Sequence, residues 1–385
     1  KNFVNHLDEA ISDPYIYNNA NCEPYDACLI WQDAEGLVQR VNLMNDRQNI
    51  SFEVPKSTIR QGNAIVAVLD ALGRVMWSWH IWVTDYKLGE DLKTVTNYQE
   101  VQYNFLPVNI GWCDAETLTY AARSVMVRFT QVRTGFTQVF EIDQEAHVDT
   151  HTGNQPYFQF GRKDPMLPGI RKSAGPVGDK ACYPGEGYAF DMSGEGKVSI
   201  GTAIRNPHVF YNYGASDAIT DWCATSYYNV WSANNSVTTG NDNQVVKTIY
   251  DPSPVGYCVP ASNAFTGFTY NGQAVSGAYH GSRYNSPYTS DSEVIANFGW
   301  EFYCNKMQGA GVFDPSGGTI FYSASGYRSH TDGTVYNVGS SGYCWSAVPY
   351  SLSYGRGLYF YSAQVDPWYN YYRSYGFAVY PVQEK

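Results

Sequence analysis

The sequence predicts a mainly β protein with α+β character, in which an N-terminal Ig-like β-sandwich precedes a longer, loop-rich domain. Three observations carry the prediction. Short runs that alternate apolar and polar residues, the period of a half-buried strand, recur between Leu29 and Ile142. Only 16% of the 385 residues are charged, while Gly, Tyr, Ser and Asn are plentiful, a mix that suits an extracellular β-rich chain with long loops. The stretch from Gly342 to Val382 holds ten of the 34 tyrosines, with Arg356, Asp366 and Arg373 as its only charged residues.

Within the first domain, taken as residues 1–92, Leu29-Ile30-Trp31 and Val38 to Leu43 are apolar runs separated by the turn Asp33-Ala34-Glu35-Gly36. Asn63 to Leu69 then reads as a buried strand, Asp70 to Gly73 as a turn, and Arg74 to Thr84 as the returning strand. On that return Val75, Trp77, Trp79, Ile81 and Val83 share one face. Tryptophans so close together could stack sugars, but their alternation with Val and Ile favours a buried face.

Tyr86 to Thr96 is polar and is expected to be a linker, with the second domain taken as 93–385. A hairpin at about 113–150 is inserted there: Val125, Val127 and Phe129 alternate with polar residues, Thr134-Gly135 turns, and Phe140 and Ile142 return. Near its end the spacing of His147, Asp149 and His151 would set two imidazoles and a carboxylate on one side of a strand. That is a possible metal geometry, but no fourth ligand lies nearby, and the favoured reading is a solvated polar face with no metal and no cofactor. Beyond Gly153 come Gly/Tyr/Ser/Asn-rich loops with short islands at Tyr157 to Phe160, Lys197 to Ile200, Val209 to Tyr213 and Thr319 to Tyr322. A short helix is expected from Ser262 or Asn263 as N-cap.

The tyrosine-rich stretch is the candidate contact surface. Tyr and Trp give stiff, amphipathic contact area, and Ser and Asn give adaptable hydrogen bonds. A core segment would not carry so many hydroxyls, each needing a partner. In Leu358-Tyr359-Phe360-Tyr361 a strand would bury Leu358 and Phe360 and show the tyrosines; in Phe377-Ala378-Val379-Tyr380 it would bury Phe377 and Val379 and show Tyr380. Between them Asp366 to Tyr375 has no usable period and is expected to be an aromatic loop. The alternative is a closing strand whose rings lean on the body of the fold.

The formal net charge of −11 and the lack of any Lys/Arg cluster argue against nucleic acid or anionic membrane as partners. No apolar run is long enough for a spanning helix, and no leader-type segment opens the chain, so Lys1 is expected to begin a mature or trimmed product. The cysteines at 22, 28, 113, 182, 223, 258, 304 and 344 are widely spaced with no C-x-x-C pair, so neither a zinc site nor a thioredoxin-type motif is indicated, and disulfides and free thiols both remain open.

Several motifs carry a resemblance: WSWHIWVTDY (Trp77 to Tyr86), LPVNIGWCD (Leu106 to Asp114), FQFGRKDP (Phe158 to Pro165), KTIYDPSPVGYCVP (Lys247 to Pro260), SNAFTGF (Ser262 to Phe268), FYSASGYRSHTDGTVYNVGSSGYCWSA (Phe321 to Ala347) and GFAVYPV (Gly376 to Val382). Together they resemble Bacteroidetes surface proteins, fimbrial tip adhesins among them, related to the Fibrobacter major paralogous domain. The resemblance implies a C-type-lectin-like fold, shared with formylglycine-generating enzymes, for 93–385. The segment 342–382 further resembles the variable region of diversity-generating retroelement target proteins. There a fixed frame, here Trp345-Ser346, Leu358, Phe360, Val365, Gly376-Phe377, Val379 and Pro381, carries diversified contact positions. These would be Tyr350, Ser351, Ser353, Tyr354, Arg356, Tyr359, Tyr361, Gln364, Trp368, Tyr369, Asn370, Tyr371, Tyr372 and Tyr375. The chain departs from the pattern at Ser253, where relatives carry Cys, and at Cys258, where a basic residue is common. Cys344 stands in place of an aromatic and would itself be a diversified position.

The resulting expectation is a non-enzymatic adhesion protein at the cell surface, on the outer membrane or a fimbrial tip. Its partner would be a protein or glycan ligand on another cell or host surface, with pilus subunits as further partners. The alternatives are a glycan-binding surface lipoprotein and a structural pilus subunit. A formylglycine-generating activity is disfavoured because it needs paired C-terminal cysteines and only Cys344 lies in that region. Motifs of the G-x-S-x-G, H-E-x-x-H and P-loop kinds, and the calcium-sugar signatures of animal lectins, are absent from the sequence.

Overall fold

Alternation decides the strands, and the computed structural model bears out a β-rich chain, 42% strand and 8% helix. It describes residues 3–171, 177–193, 196–212, 220–225, 227–277 and 280–385; of the predicted island Val209 to Tyr213, the last residue lies outside them. In the N-terminal region β1 (Asp26–Gln32), β2 (Gly62–Leu69) and β3 (Val75–Val83) form an antiparallel meander. The β2–β3 hairpin is closed by Asp70, whose carboxylate accepts from the Leu72 and Arg74 amides at 2.9 Å each. The fourth strand of this sheet, β4 (Tyr183–Pro184), comes from far along the chain and pairs with Gln32 and Trp31.

The apolar row on β3 is only partly a core face. Val75 is buried, whereas Trp79 is 39% exposed and Trp77, Ile81 and Val83 are half-buried. Trp77 and Trp79 stand at the side of a groove, on a strand that is the edge of its sheet among the described residues. The expected linker also contains structure. Lys93–Thr96 forms a strand against Gln102–Phe105, whose Phe105 in turn pairs with Val382 near the chain end.

The inserted hairpin is a long two-part ribbon. Glu116–Tyr120 pairs with His147–His151, and Arg123–Thr130 with Thr137–Gln144. On the ribbon His151 Nε2 lies 3.2 Å from Asp149 Oδ2 and its Nδ1 3.8 Å from Glu116, while His147 stacks on Tyr120 at 4.7 Å. The expected helix at Ser262 is a 3-10 helix over Ser262–Phe268, with Ala261 as N-cap and no side-chain cap. All eight cysteines are free thiols.

The second large sheet has eight strands and is built mostly by the C-terminal part. Its path runs Val275–Ser276, Gln364–Tyr372, Tyr354–Tyr361, Ser341–Pro349, Gly376–Val379, Ser325–Arg328 and Val335–Val338. Here β5 is Ser325–Arg328, β6 Val335–Val338, β7 Ser341–Pro349, β8 Tyr354–Tyr361, β9 Gln364–Tyr372 and β10 Gly376–Val379. β7 and β10 pair in parallel, Cys344 opposite Ala378, and Phe158–Gln159 adds to β10. All the frame residues are buried: Trp345, Ser346, Leu358, Phe360, Val365, Gly376, Phe377, Val379 and Pro381.

Three sequence expectations fail here for identifiable reasons. Tyr380 is buried, because its hydroxyl donates to the carbonyls of Pro107 and Phe321 and so satisfies the group that alternation alone would have left wanting. Cys344 is buried too and cannot be a contact position. The expected loop over Asp366 to Tyr375 is mostly strand β9, hidden from periodicity by an irregularity described next.

Candidate ligand-binding face

β8 and β9 pair in antiparallel fashion, with Tyr361 opposite Gln364 and Tyr354 opposite Tyr372, but the register shifts between Gly357 and Tyr359. Tyr369 faces Gly357 and Asp366 faces Tyr359, so Pro367 and Trp368 together oppose the single residue Leu358. This is a β-bulge, placed where proline has no amide to give to the ladder. A one-residue slip reverses which side chains share a face. Val365 therefore faces the core beside Phe360, yet Tyr369 and Tyr371, at the same parity as Val365, come out on the face of Tyr359 and Tyr361.

That face is a continuous field of phenols. Ring centroids lie 5.0 Å apart for Tyr359–Tyr369, 4.3 Å for Tyr369–Tyr371 and 5.3 Å for Tyr371–Tyr375. Tyr361 extends it, 6.1 Å from Tyr359. The floor is Tyr343 and Phe377, both buried, with Trp345 stacked beneath Phe377 at 4.2 Å. Tyr371 is the hub and touches Tyr343, Phe377, Tyr359, Tyr369 and Tyr375.

Sequence reasoning missed three members. Tyr327 sits 5.0 Å from Tyr343 and 5.4 Å from Tyr375; Tyr336 lies directly across the hairpin from Tyr327. His330 lies 4.2 Å from Tyr375 and 5.2 Å from Tyr372. The signal that could have found the pair was the turn Thr331-Asp332-Gly333 with a tyrosine on each flank, read as a hairpin.

The remaining candidates fall elsewhere. Tyr354, Arg356, Asn370 and Tyr372 alternate onto the opposite face of the sheet, past the end of the core. Arg356 is half-buried there, its guanidinium on the Thr238 carbonyl at 2.9 Å and 4.8 Å from the Tyr350 ring. Trp368 packs beside Gly240, where an added Cβ would lie 3.1 Å from the indole. Tyr350, Ser351 and Ser353 form the β7–β8 turn, where Tyr350 is exposed, and Gln364 sits at the far hairpin end. Tyr354 and Tyr372 pack at 4.6 Å, and His330 joins this second patch to the tyrosine field at the sheet edge.

The electrostatics favour a neutral surface. Burial pushes the Tyr359 and Tyr371 phenols up, and that of Tyr375 up to about 12, so all stay protonated donors near neutral pH. Burial likewise holds the His330 imidazole below its ordinary value, so it stays uncharged. Asp366 is raised by burial despite accepting from the Trp368 amide at 2.9 Å. Such a face can stack and exchange hydrogen bonds with a ligand while presenting little formal charge.

No family model, curated protein or solved structure matches this chain.

Proposed function

We propose that this protein is a non-enzymatic binding protein of the cell surface that presents the Tyr359–Tyr361–Tyr369–Tyr371–Tyr375 field to a protein ligand. In this reading the finer architecture is an Ig-like N-terminal sandwich and a C-type-lectin-like domain, with 342–382 as a variable region. One observation carries it: every residue of the supposed frame is buried, while the five tyrosines keep half-buried rings on one face. Trp345, Leu358, Phe360, Val365, Phe377 and Val379 belong to the main buried core, and Tyr359, Tyr371 and Tyr375 rest on it from outside, so a frame held by its own buried contacts can tolerate replacement of those rings, which is what a diversified site requires. Half-buried Tyr over an aromatic floor is also the composition of interface hot spots.

The test is binding of the purified protein to intact cells. Replacing Tyr359, Tyr361 and Tyr369 together by Ala is expected to weaken binding at least about tenfold, since truncating one hot-spot side chain costs about 2 kcal/mol. Each single change should shift stability by only about 1 kcal/mol. Unchanged binding with an intact fold would sink the proposal.

A glycan ligand is the second reading, favoured by a different observation. Trp77 and Trp79 join Tyr15, Tyr17, Arg47 and Asn49 around a groove of about 520 Å³ on the N-terminal region. In the same assay, loss of binding with Trp79→Ala and not with the tyrosine triple would favour that reading.

A further inference from the structure

Three polar side chains from distant parts of the chain meet inside the N-terminal region: Asp33 just after β1, Asn63 on β2, and Lys180 just before β4. Asp33 and Asn63 are fully or almost fully buried, and the Lys180 side chain is 15% exposed. Asp33 Oδ2 accepts from Asn63 Nδ2 at 2.9 Å and from Lys180 Nζ at 3.2 Å. The same two nitrogens each reach Cys113 Sγ at 3.6 Å. The lysine amine and the asparagine amide are thus held side by side, bridged by one carboxylate.

On the other side of the amide, His80 Nε2 lies 2.9 Å from Asn63 Oδ1. Nδ2 is occupied as a donor to Asp33 and to the Gly111 carbonyl, so Oδ1 is the acceptor and His80 supplies the proton. Burial pushes the His80 imidazole down to about 4, which keeps it a neutral donor. Burial also pushes the Cys113 thiol up to about 12, so it stays an unreactive neighbour. The backbone fixes the pieces: Asn63 N donates to Asp33 Oδ1 at 2.6 Å, and Lys180 N to the Pro168 carbonyl at 2.8 Å.

We infer that Lys180 and Asn63 become joined by an intramolecular isopeptide bond, with Asp33 as the proton carrier and His80 as the oxyanion donor. Asp33 takes a proton from the Lys180 ammonium and frees the amine lone pair. Nζ attacks Asn63 Cγ, and the carbonyl electrons move to Oδ1, held by His80 N–H. The intermediate collapses, the Cγ–Nδ2 bond breaks, and Nδ2 leaves as ammonium with the proton on Asp33 and one from Nζ. One C–N bond replaces another and no oxidant is consumed. Burial disfavours the lysine cation, but the neighbouring Asp33 and Cys113 together offset this and hold its pKa above the ordinary value, so the ion pair is the starting state. The product would tie β2 to the segment that delivers the edge strand β4, which pairs with Gln32 and Trp31.

The test is the intact mass of the denatured full chain, followed by peptide mapping. The expected results are a chain lighter than its sequence by one ammonia, and a branched peptide linking Lys180 to Asn63. Lys180→Arg, which keeps the cation but removes the amine nucleophile, should restore the full mass, and Asp33→Asn should do the same. A wild-type chain of full sequence mass with separate peptides would overturn the inference. So would loss of water in place of ammonia, or an ammonia loss that persists in Lys180→Arg and so arises from another amide.

Discussion

Trp345→Ala is expected to cost about 3–5 kcal/mol of stability, a large fraction of what a domain has. Trp345 is fully buried at the centre of the C-terminal sheet, between Phe377 at 4.2 Å and Phe160 at 5.4 Å. Its indole N–H donates to the Phe158 carbonyl at 2.8 Å, so truncation leaves both a cavity and an unsatisfied carbonyl. The neighbourhood is already shaped to the ring: a Cβ at Gly355 would come within 2.9 Å of it. Denaturant titration should show a lowered midpoint with an unchanged slope. A loss below about 1 kcal/mol would mean that the frame is plastic, and that the display reading has lost its rigid support.

The second large effect is electrostatic. Asp221→Ala is expected to destabilise by about 3–5 kcal/mol, whereas Asp221→Leu combined with Arg373→Met should recover most of that loss. Arg373 and Asp221 are almost wholly enclosed, with Nη1 3.4 Å from Oδ2 and the guanidinium 5.0 Å from the Phe160 ring centroid. Arg373 also donates to the Leu352 carbonyl at 3.2 Å and to that of Tyr227. Both groups shift against their charged forms: burial raises the Asp221 carboxyl although Arg373 opposes it, and burial lowers Arg373 although Asp221 opposes it. Desolvation thus exceeds the attraction, so the pair is costly to break from one side and nearly neutral to replace from both. A double-mutant cycle reads the coupling directly, and additive single effects would contradict it.

Much of this was legible in the chain because it depends on near neighbours. The β2–β3 hairpin and the ribbon around Val125, Phe129, Phe140 and Ile142 were readable, since period two and a turn residue are local signals. The buried partners Leu358, Phe360, Phe377 and Val379 followed from the same alternation. Tyr380 did not, because the carbonyls that satisfy its hydroxyl come from Pro107 and Phe321, far away in sequence. Nor did Tyr327, Tyr336 and His330, whose membership of the site depends on which strands lie side by side.

Sequence alone determined that this is a β-rich chain whose final segment alternates packing residues with hydroxylated rings, because side-chain direction along a strand is a local property. Only the tertiary structure decided which rings share a face. Pairing β8 with β9 places a bulge at Pro367–Trp368 that resets the alternation, and strand register is a relation between segments that neither carries by itself. The same holds for Asp33, Asn63 and Lys180, polar residues far apart in the chain that only the fold brings into contact.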